Sequence, residues 1–263
     1  MEKAIVYNGK NLVYSVYGSG PAVVLLHGFG ETGSIWNKLL EGLAGYYLII
    51  PQLPGSGLSD LLNDMSMESL ADSVYAILKE EAIEKCVLIG HSMGGYITLS
   101  FVAKYAAMLV GFGLFHSTAF KDDEEKIATR KKGIAFIKEN GALPFLKTSI
   151  PNLYAPATKT ENAALLEEHL LSVQSISDKA LIHYYTAMIQ RQDRTAILKE
   201  TTLPVLFIFG KWDTAVPLEG GLKQCHLPRL SYIHILNNSG HMGMIEEPEK
   251  SVRIVNEFLS ATL

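Results

Sequence analysis

Two periodicities alternate along the first 116 residues of this chain. Short apolar, β-branched runs at 4–7, 12–17, 22–27, 47–51, 86–90 and 110–115 read as strands, and helical spacing of apolar positions appears at 35–43, 67–81 and 95–107. The first two strands are joined by Asn8-Gly9-Lys10-Asn11, whose Asn-Gly pair suits a tight hairpin. Beyond the hairpin, strand and helix alternate, which predicts a mainly parallel sheet with helices on both faces. The alternation stops at Ser117. Up to Glu200 only helical patterns occur, broken by Gly141, Pro144, Pro151 and Pro156, before strands resume at 205–209 and 232–236. Such a long helical block between two sheet strands reads as an insertion folded over one end of the sheet. Residues 1–116 and 201–263 are therefore expected to form the core, and 117–200 a helical cap. The charges that open the insert, 121–126 and Arg130-Lys131-Lys132, read as a solvated helix face with i,i+4 pairing, Asp122 with Lys126.

Composition narrows the function classes. A chain of 263 residues, 48% hydrophobic and 19% charged, is long enough for a large α/β domain with a sizeable core. Its net charge of −4 leaves no basic surplus for phosphates, so no nucleic-acid partner is expected. The longest apolar run, 106–115, falls short of the ~20 residues that span a bilayer, so no membrane partner is expected either. Two cysteines are too few for a disulfide framework, and Cys86, within an apolar strand, reads as a small buried hydrophobe. Met1-Glu2-Lys3 lead into strand-like sequence without a basic-then-apolar stretch, which makes a cytoplasmic location the expectation.

The chemistry centres on Gly90-His91-Ser92-Met93-Gly94, between a strand and a helix. A serine on so sharp a turn is forced into a strained backbone conformation with its Oγ in open space, and glycine-sized neighbours relieve the crowding two residues away on either side. An acyl-transfer site also needs two N–H donors aimed at the developing oxyanion. Met93 supplies one at its helix N-terminus, and Phe29, in the loop His27-Gly28-Phe29-Gly30 after the third strand, supplies the other; His27 reads as a brace for that turn. The same stretch, Gly28-Phe29-Gly30-Glu31-Thr32-Gly33, fits G-x-G-x-x-G, and Tyr75 with Lys79 form the Y-x-x-x-K pair of short-chain dehydrogenases. Two features oppose a nucleotide site: the next strand ends Ile50-Pro51-Gln52 with no acid for ribose hydroxyls, and Tyr75 and Lys79 fall too early in the chain.

Position selects the base among eight histidines, 27, 91, 116, 169, 183, 226, 234 and 241. Reactive groups gather at the carboxyl ends of strands in an open α/β sheet. His241 lies just past the last strand in a glycine-flanked loop, whereas His234 is inside that strand and His169 and His183 fall on insert helices. Asp213 follows the 205–209 strand, while the other plausible acid position, after 110–115, reads His116-Ser117-Thr118. Ser92, Asp213 and His241 are thus the candidate nucleophile, acid and base.

In that chain order, with His27-Gly28-Phe29-Gly30, Pro54-Gly55-Ser56-Gly57-Leu58-Ser59, Gly90 to Gly95, Gly210 to Pro217 and Gly240-His241, the chain resembles the α/β-hydrolase superfamily over essentially its whole length. The resemblance implies an eight-stranded, mostly parallel sheet with helices on both faces, a helical cap insertion, and a Ser-His-Asp hydrolase of the esterase or lactonase type without cofactor or metal. Gln52 stands where members usually carry Asp. A serine at 92 sets aside the branches with an aspartate nucleophile, and the insert's end, Ala187 to Asp193 followed by Leu198, is similar to that of ester- and lactone-hydrolysing members.

Phe29, Phe136, Phe145, Leu146, Tyr154, Met188, Trp212 and Met242 are the expected substrate-binding side chains, suited to a small, largely apolar ester or lactone. Two alternatives stay open: carbon–carbon bond hydrolysis or elimination on the same triad, and a ligand-sensing signalling protein with slow turnover. The expected partner is a small molecule, and the chain is expected to be a monomer or homodimer.

Overall fold

The computed structural model describes residues 1–263. Eight strands form one sheet: β1 (Glu2–Tyr7), β2 (Lys10–Tyr17), β3 (Ala22–Leu26), β4 (Tyr47–Pro51), β5 (Cys86–His91), β6 (Leu109–Phe115), β7 (Val205–Gly210) and β8 (Ser231–Leu236). Their order is β1-β2-β4-β3-β5-β6-β7-β8. β2 runs antiparallel to β1 and β4, and every pairing from β4 to β8 is parallel. All residues of β3, β5 and β7 are buried, as continuous apolar runs covered on both faces must be. The chain leaves β3 outward to β4, then returns past it to β5 and continues the other way. The loops after β3 and β5 therefore part from each other, and a crevice opens at their carboxyl ends.

Helices cover both faces. α1 (Met67–Glu80) and α2 (Met93–Tyr105) pack one core with Val24, Leu26, Leu88 and Phe207. α1 buries Met67, Leu70, Ala71, Val74, Ile77 and Leu78, a stripe of helical period, and Ser66 caps it by accepting from the Ser69 N–H. On the other face, the alternate residues Val23, Leu25 and Ile208 meet Trp36, Leu39 and the C-terminal helix. The segment expected as a helix at 35–43 is two 3₁₀ turns, Gly33–Leu39 and Glu41–Leu43. Trp36 and Leu39 fall three apart on one inward line, which the threefold 3₁₀ repeat aligns better than an α-helix does.

No strand occurs between β6 and β7. That stretch forms α3 (Glu124–Asn140), α4 (Ala142–Ser149), α5 (Pro156–Glu161), α6 (Ala163–Val173), α7 (Asp178–Gln190) and α8 (Thr195–Glu200), and the chain closes with α9 (Leu218–Leu222), α10 (Gly243–Glu246) and α11 (Pro248–Thr262). The insert docks on the loops at the carboxyl ends of the strands. Tyr184 of α7 donates its hydroxyl to Pro54 O, and the His241 N–H donates to Leu153 O.

One expectation about the insert fails. Asp122 is not on a solvated helix face paired with Lys126; it is buried just before α3 and binds two guanidiniums, Arg130 (Nε to Oδ2, 2.6 Å) and Arg191 (Nη1 to Oδ1, 2.9 Å). Helix spacing could not reveal Arg191, which comes from the end of α7. Lys126 instead donates to Ala215 O in the loop after β7. Removal of a buried pair's carboxylate leaves its cations uncompensated. Asp122→Ala is expected to lower the unfolding free energy by about 3–5 kcal/mol in urea denaturation; a loss within about 1 kcal/mol of zero would show that the cluster is solvated after all.

Candidate active site

Ser92 sits at the tip between β5 and α2 with φ +51° and ψ −115°, a left-handed conformation that a non-glycine residue adopts only under constraint. The turn is held from both sides. The Ser92 N–H donates to Phe115 O, and its carbonyl accepts from Ser117 Oγ at 2.7 Å and from the Gly95 N–H. A Cβ on Gly94 would stand 2.7 Å from the carbonyl oxygens of Leu26 and His27, so only glycine lets α2 approach β3 this closely.

Asp213 and His241 meet across 2.7 Å, His241 Nδ1 donating to Oδ2. The carboxylate is fully engaged: Oδ1 accepts from the Ala215 and Val216 N–H groups at 2.8 Å each, and Oδ2 also lies 3.2 Å from His116 Nδ1. Burial would push the Asp213 carboxyl up, but the His241 and His116 rings outweigh it and hold the group well below the usual carboxylate range. For His241 the balance runs the other way. Burial disfavours its charge, and the facing Asp213 carboxylate lifts its pKa above the ordinary imidazole value. Its Nε2 has no hydrogen-bond partner, and with Ser92 it lines a cavity of about 680 Å³ measured to its open mouth. Ser92 Oγ makes no hydrogen bond to His241 within the chain; such contacts commonly tighten only when substrate enters.

His116 was not expected here. It occupies the position after β6 where an alternative acid was considered, also with a positive φ, +50°. Backbone N–H groups face both ring nitrogens, Gly243 at Nε2 and Gly210 at Nδ1, and Nδ1 also lies 3.2 Å from Asp213 Oδ2. Burial pushes the His116 pKa down to about 4, which fits a neutral ring. In His27, Nδ1 donates to Gly28 O and Nε2 accepts from the Leu53 N–H; burial pushes it down to about 4. It braces the turn after β3.

Glu31 ties the loops together. Its Oε2 accepts from the Gly28 N–H at 2.5 Å and from His91 Nδ1 at 2.9 Å, and His91 Nε2 donates to His241 O at 2.9 Å. Both His91 nitrogens face acceptors, so the one ring bridges Glu31 and the His241 carbonyl. Burial would raise the Glu31 carboxyl; the facing His91 ring and its hydrogen bond instead hold it down to about 2. Gln52 adds a brace by accepting from the Gly33 N–H at 3.1 Å, so the loop after β3 is fixed without the Asp usual at that position. The Phe29 N–H has no acceptor in the chain, and the Met93 N–H belongs to the unpaired first turn of α2. Ser92, His241 and Phe29 line one cavity, with Asp213 behind His241.

Of the expected substrate-binding side chains, Phe29, Leu146 and Met188 line the cavity. The other five do not. Phe145 stands behind the wall, edge-on to Phe29 and Tyr185, and Phe136, 39% exposed, packs on its outer side. Tyr154 is buried against His169, its hydroxyl 3.0 Å from Nδ1. Trp212 is half-exposed with Nε1 donating to Asn237 O, and Met242 fills the core beneath the His241 loop. Their hydrophobicity is spent on packing. In their place the wall carries Tyr96, Arg130, Ile150, Tyr185 and Val216, which no periodicity singles out. His116, Asp213 and His241, all buried, offer ligand atoms within 4.8 Å of one another, with Asp213 Oδ2 2.7 Å from the His241 ring and 3.2 Å from the His116 ring. No helix is long and apolar enough to cross a membrane.

Comparison with known proteins agrees with this architecture. Residues 23–254 match the alpha/beta hydrolase family. A pimeloyl (acyl-carrier protein) methyl ester esterase of Aeromonas hydrophila is 26% identical over 256 residues, 92% of this chain and 97% of that protein. The 3-oxoadipate enol-lactonase 1 of Acinetobacter baylyi is 24% identical, covering 96% and 94%. A thermophilic esterase from Thermogutta terrifontis, solved with malate bound, superposes with a TM-score of 0.93 at 25% identity over 100% of this chain and 99% of that one.

The buried rings set a pH dependence of stability. His27 and His116 take up protons near pH 6.5 when unfolded and only near 4 when folded, so the unfolded chain gains protons first and stability falls as pH drops from 6.5 to 4. Glu31 continues the fall from 4.5 to about 2, because its folded pKa is depressed. Equilibrium denaturation at several pH values is expected to trace this decline, and His116→Asn is expected to make it shallower between pH 6.5 and 4. An unchanged slope in that variant would place the proton uptake elsewhere.

Proposed function

The chain belongs to the alpha/beta hydrolase family, and on that premise we propose that it is a serine hydrolase cleaving a small carboxylic ester or lactone through an acyl-enzyme on Ser92. The reading rests above all on the His241 ring, fixed by Asp213 with its free Nε2 on the same cavity as the strained Ser92. The esterases and the enol-lactonase among its relatives support ester and lactone substrates. The largely apolar wall, with Phe29, Leu146, Ile150 and Met188, supports a small hydrophobic group beside the scissile bond.

In this mechanism Ser92 Oγ attacks the carbonyl carbon as His241 Nε2 takes its proton. Asp213 keeps the ring proton on Nδ1 and stabilises the imidazolium; His116 positions Asp213 and does not touch substrate. The Phe29 and Met93 N–H groups receive the oxyanion. His241 then protonates the departing alkoxide, and a water molecule activated by the same nitrogen hydrolyses the acyl-enzyme. Residues 117–200 act as the cap that roofs the cavity, and the protein works in the cytoplasm on a small molecule.

Ser92→Ala and His241→Ala are each expected to lower kcat by roughly 10⁴–10⁶ on a nitrophenyl ester; turnover near wild type in either variant would remove the triad assignment. Because Asp213 raises the His241 pKa, the base is protonated at low pH and becomes active as pH rises. The kcat/KM profile is therefore expected to climb with a midpoint above 6.5, and a profile flat from pH 5 to 8 would contradict His241 as base.

A further inference from the structure

The Arg130–Asp122–Arg191 cluster carries a charge that the mechanism above does not use. Arg191 is tied to the protein on both terminal nitrogens: Nη1 donates to Met188 O and pairs with Asp122, Nη2 donates to Phe120 O, and its Cζ lies 3.9 Å from the centre of the Tyr96 ring. Arg130 differs in keeping a whole terminal nitrogen free. Its Nε and Nη2 donate to Asp122, while Nη1 donates to no protein atom, and the residue lines the cavity shared by Ser92 and His241. One carboxylate stands between two guanidiniums, so the cluster keeps a net positive charge.

Lys126, one turn earlier on α3, adds a second cation, its Nζ held by Ala215 O, itself on the cavity wall. The acids that open α3, Asp123, Glu124 and Glu125, are all exposed. Arg130 is the only lysine or arginine on the wall, and the wall's one carboxylate, Glu31, binds Gly28 and His91 through Oε2. A guanidinium beside a mostly apolar cavity, held in place over the Tyr185 ring (Cζ 5.6 Å from its centre), matches a carboxylate at the end of a short hydrocarbon chain.

We propose that Arg130 is a substrate-recognition residue for a carboxylate, and that the preferred substrates are esters or lactones carrying a second, free carboxylate, such as the half-esters of short dicarboxylic acids. This assignment rests on the ester-hydrolase reading above. The reaction is then half-ester plus water giving dicarboxylate, alcohol and one proton. The carboxylate seated on Arg130 takes no part in bond making and fixes the other end of the molecule against Ser92.

The test compares monomethyl glutarate with dimethyl glutarate, alike in length and different in charge. Wild type is expected to favour the half-ester by about tenfold or more in kcat/KM. Arg130→Gln is expected to shrink that preference roughly tenfold, toward parity, chiefly through KM for the half-ester, with Arg130→Lys in between. Absence of a preference in wild type, or an equal loss on both esters in Arg130→Gln, would overturn the proposal. Calorimetric titration with glutarate reads the anion site without turnover: binding that Arg130→Gln abolishes supports it, and binding that is absent or unaffected overturns it. Should Arg130→Gln fail to fold, the wild-type preference and the Arg130→Lys titration decide. If glutarate binds through Arg130 and neither ester is cleaved, the hydrolase reading falls while the anion site stands.

Discussion

The buried Glu31–His91 pair is the constraint on which the arrangement of the crevice depends. Three loops leave the sheet at different strands, and none of them is rigid by itself. Glu31 holds the loop after β3 through the Gly28 N–H, His91 belongs to the serine turn after β5, and the same ring grips the carbonyl of His241 after β8. The pair lies where burial makes an unpartnered polar group expensive, so each of these loops is held to the placement that keeps its hydrogen bond to the His91–Glu31 pair. Asp213 repeats the device on the other side, with the His241 ring and two backbone N–H groups donating to one carboxylate. The proposed chemistry therefore rests on polar groups satisfied in only one arrangement.

Much of this was legible in the sequence, for identifiable reasons. The strands were readable because β3, β5 and β7 are buried on both faces and so must be continuously apolar. Ser92, Asp213 and His241 could be picked out because an open sheet collects loops at the carboxyl ends of its strands, and chain position there substitutes for geometry. Their neighbours were less visible. His116 reads from the sequence as the absence of an acid after β6, whereas its ring packs 3.2 Å from the acid after β7. Glu31 was passed over as one residue of a glycine-rich loop, although a carboxylate in a segment that must be buried needs a charged or donating partner. That was the available signal.

The insert was the least readable part, and the physical reason is plain. Its aromatic residues must both pack the insert and face the crevice, tasks that composition does not separate. Phe145 and Tyr154 serve the first, and Phe29 and Tyr185, stacked with ring centres 4.1 Å apart, form the boundary between them. Asp122 was misread because its second partner, Arg191, is brought to it only by the docking of α7. Periodicity describes one element at a time; clusters assembled from three separate segments lie beyond it.

The ties between the insert and the His241 loop have a mechanical meaning. Glu246 accepts from the Ala155 N–H and Thr158 Oγ1 on the insert and from the Gly240 N–H on the loop, while the His241 N–H itself donates to Leu153 O. The roof is thus riveted to the proposed base at one corner. A movement that lifted residues 153–158 would drag His241 out of register with Asp213, so on that side an open form is also a disarmed one.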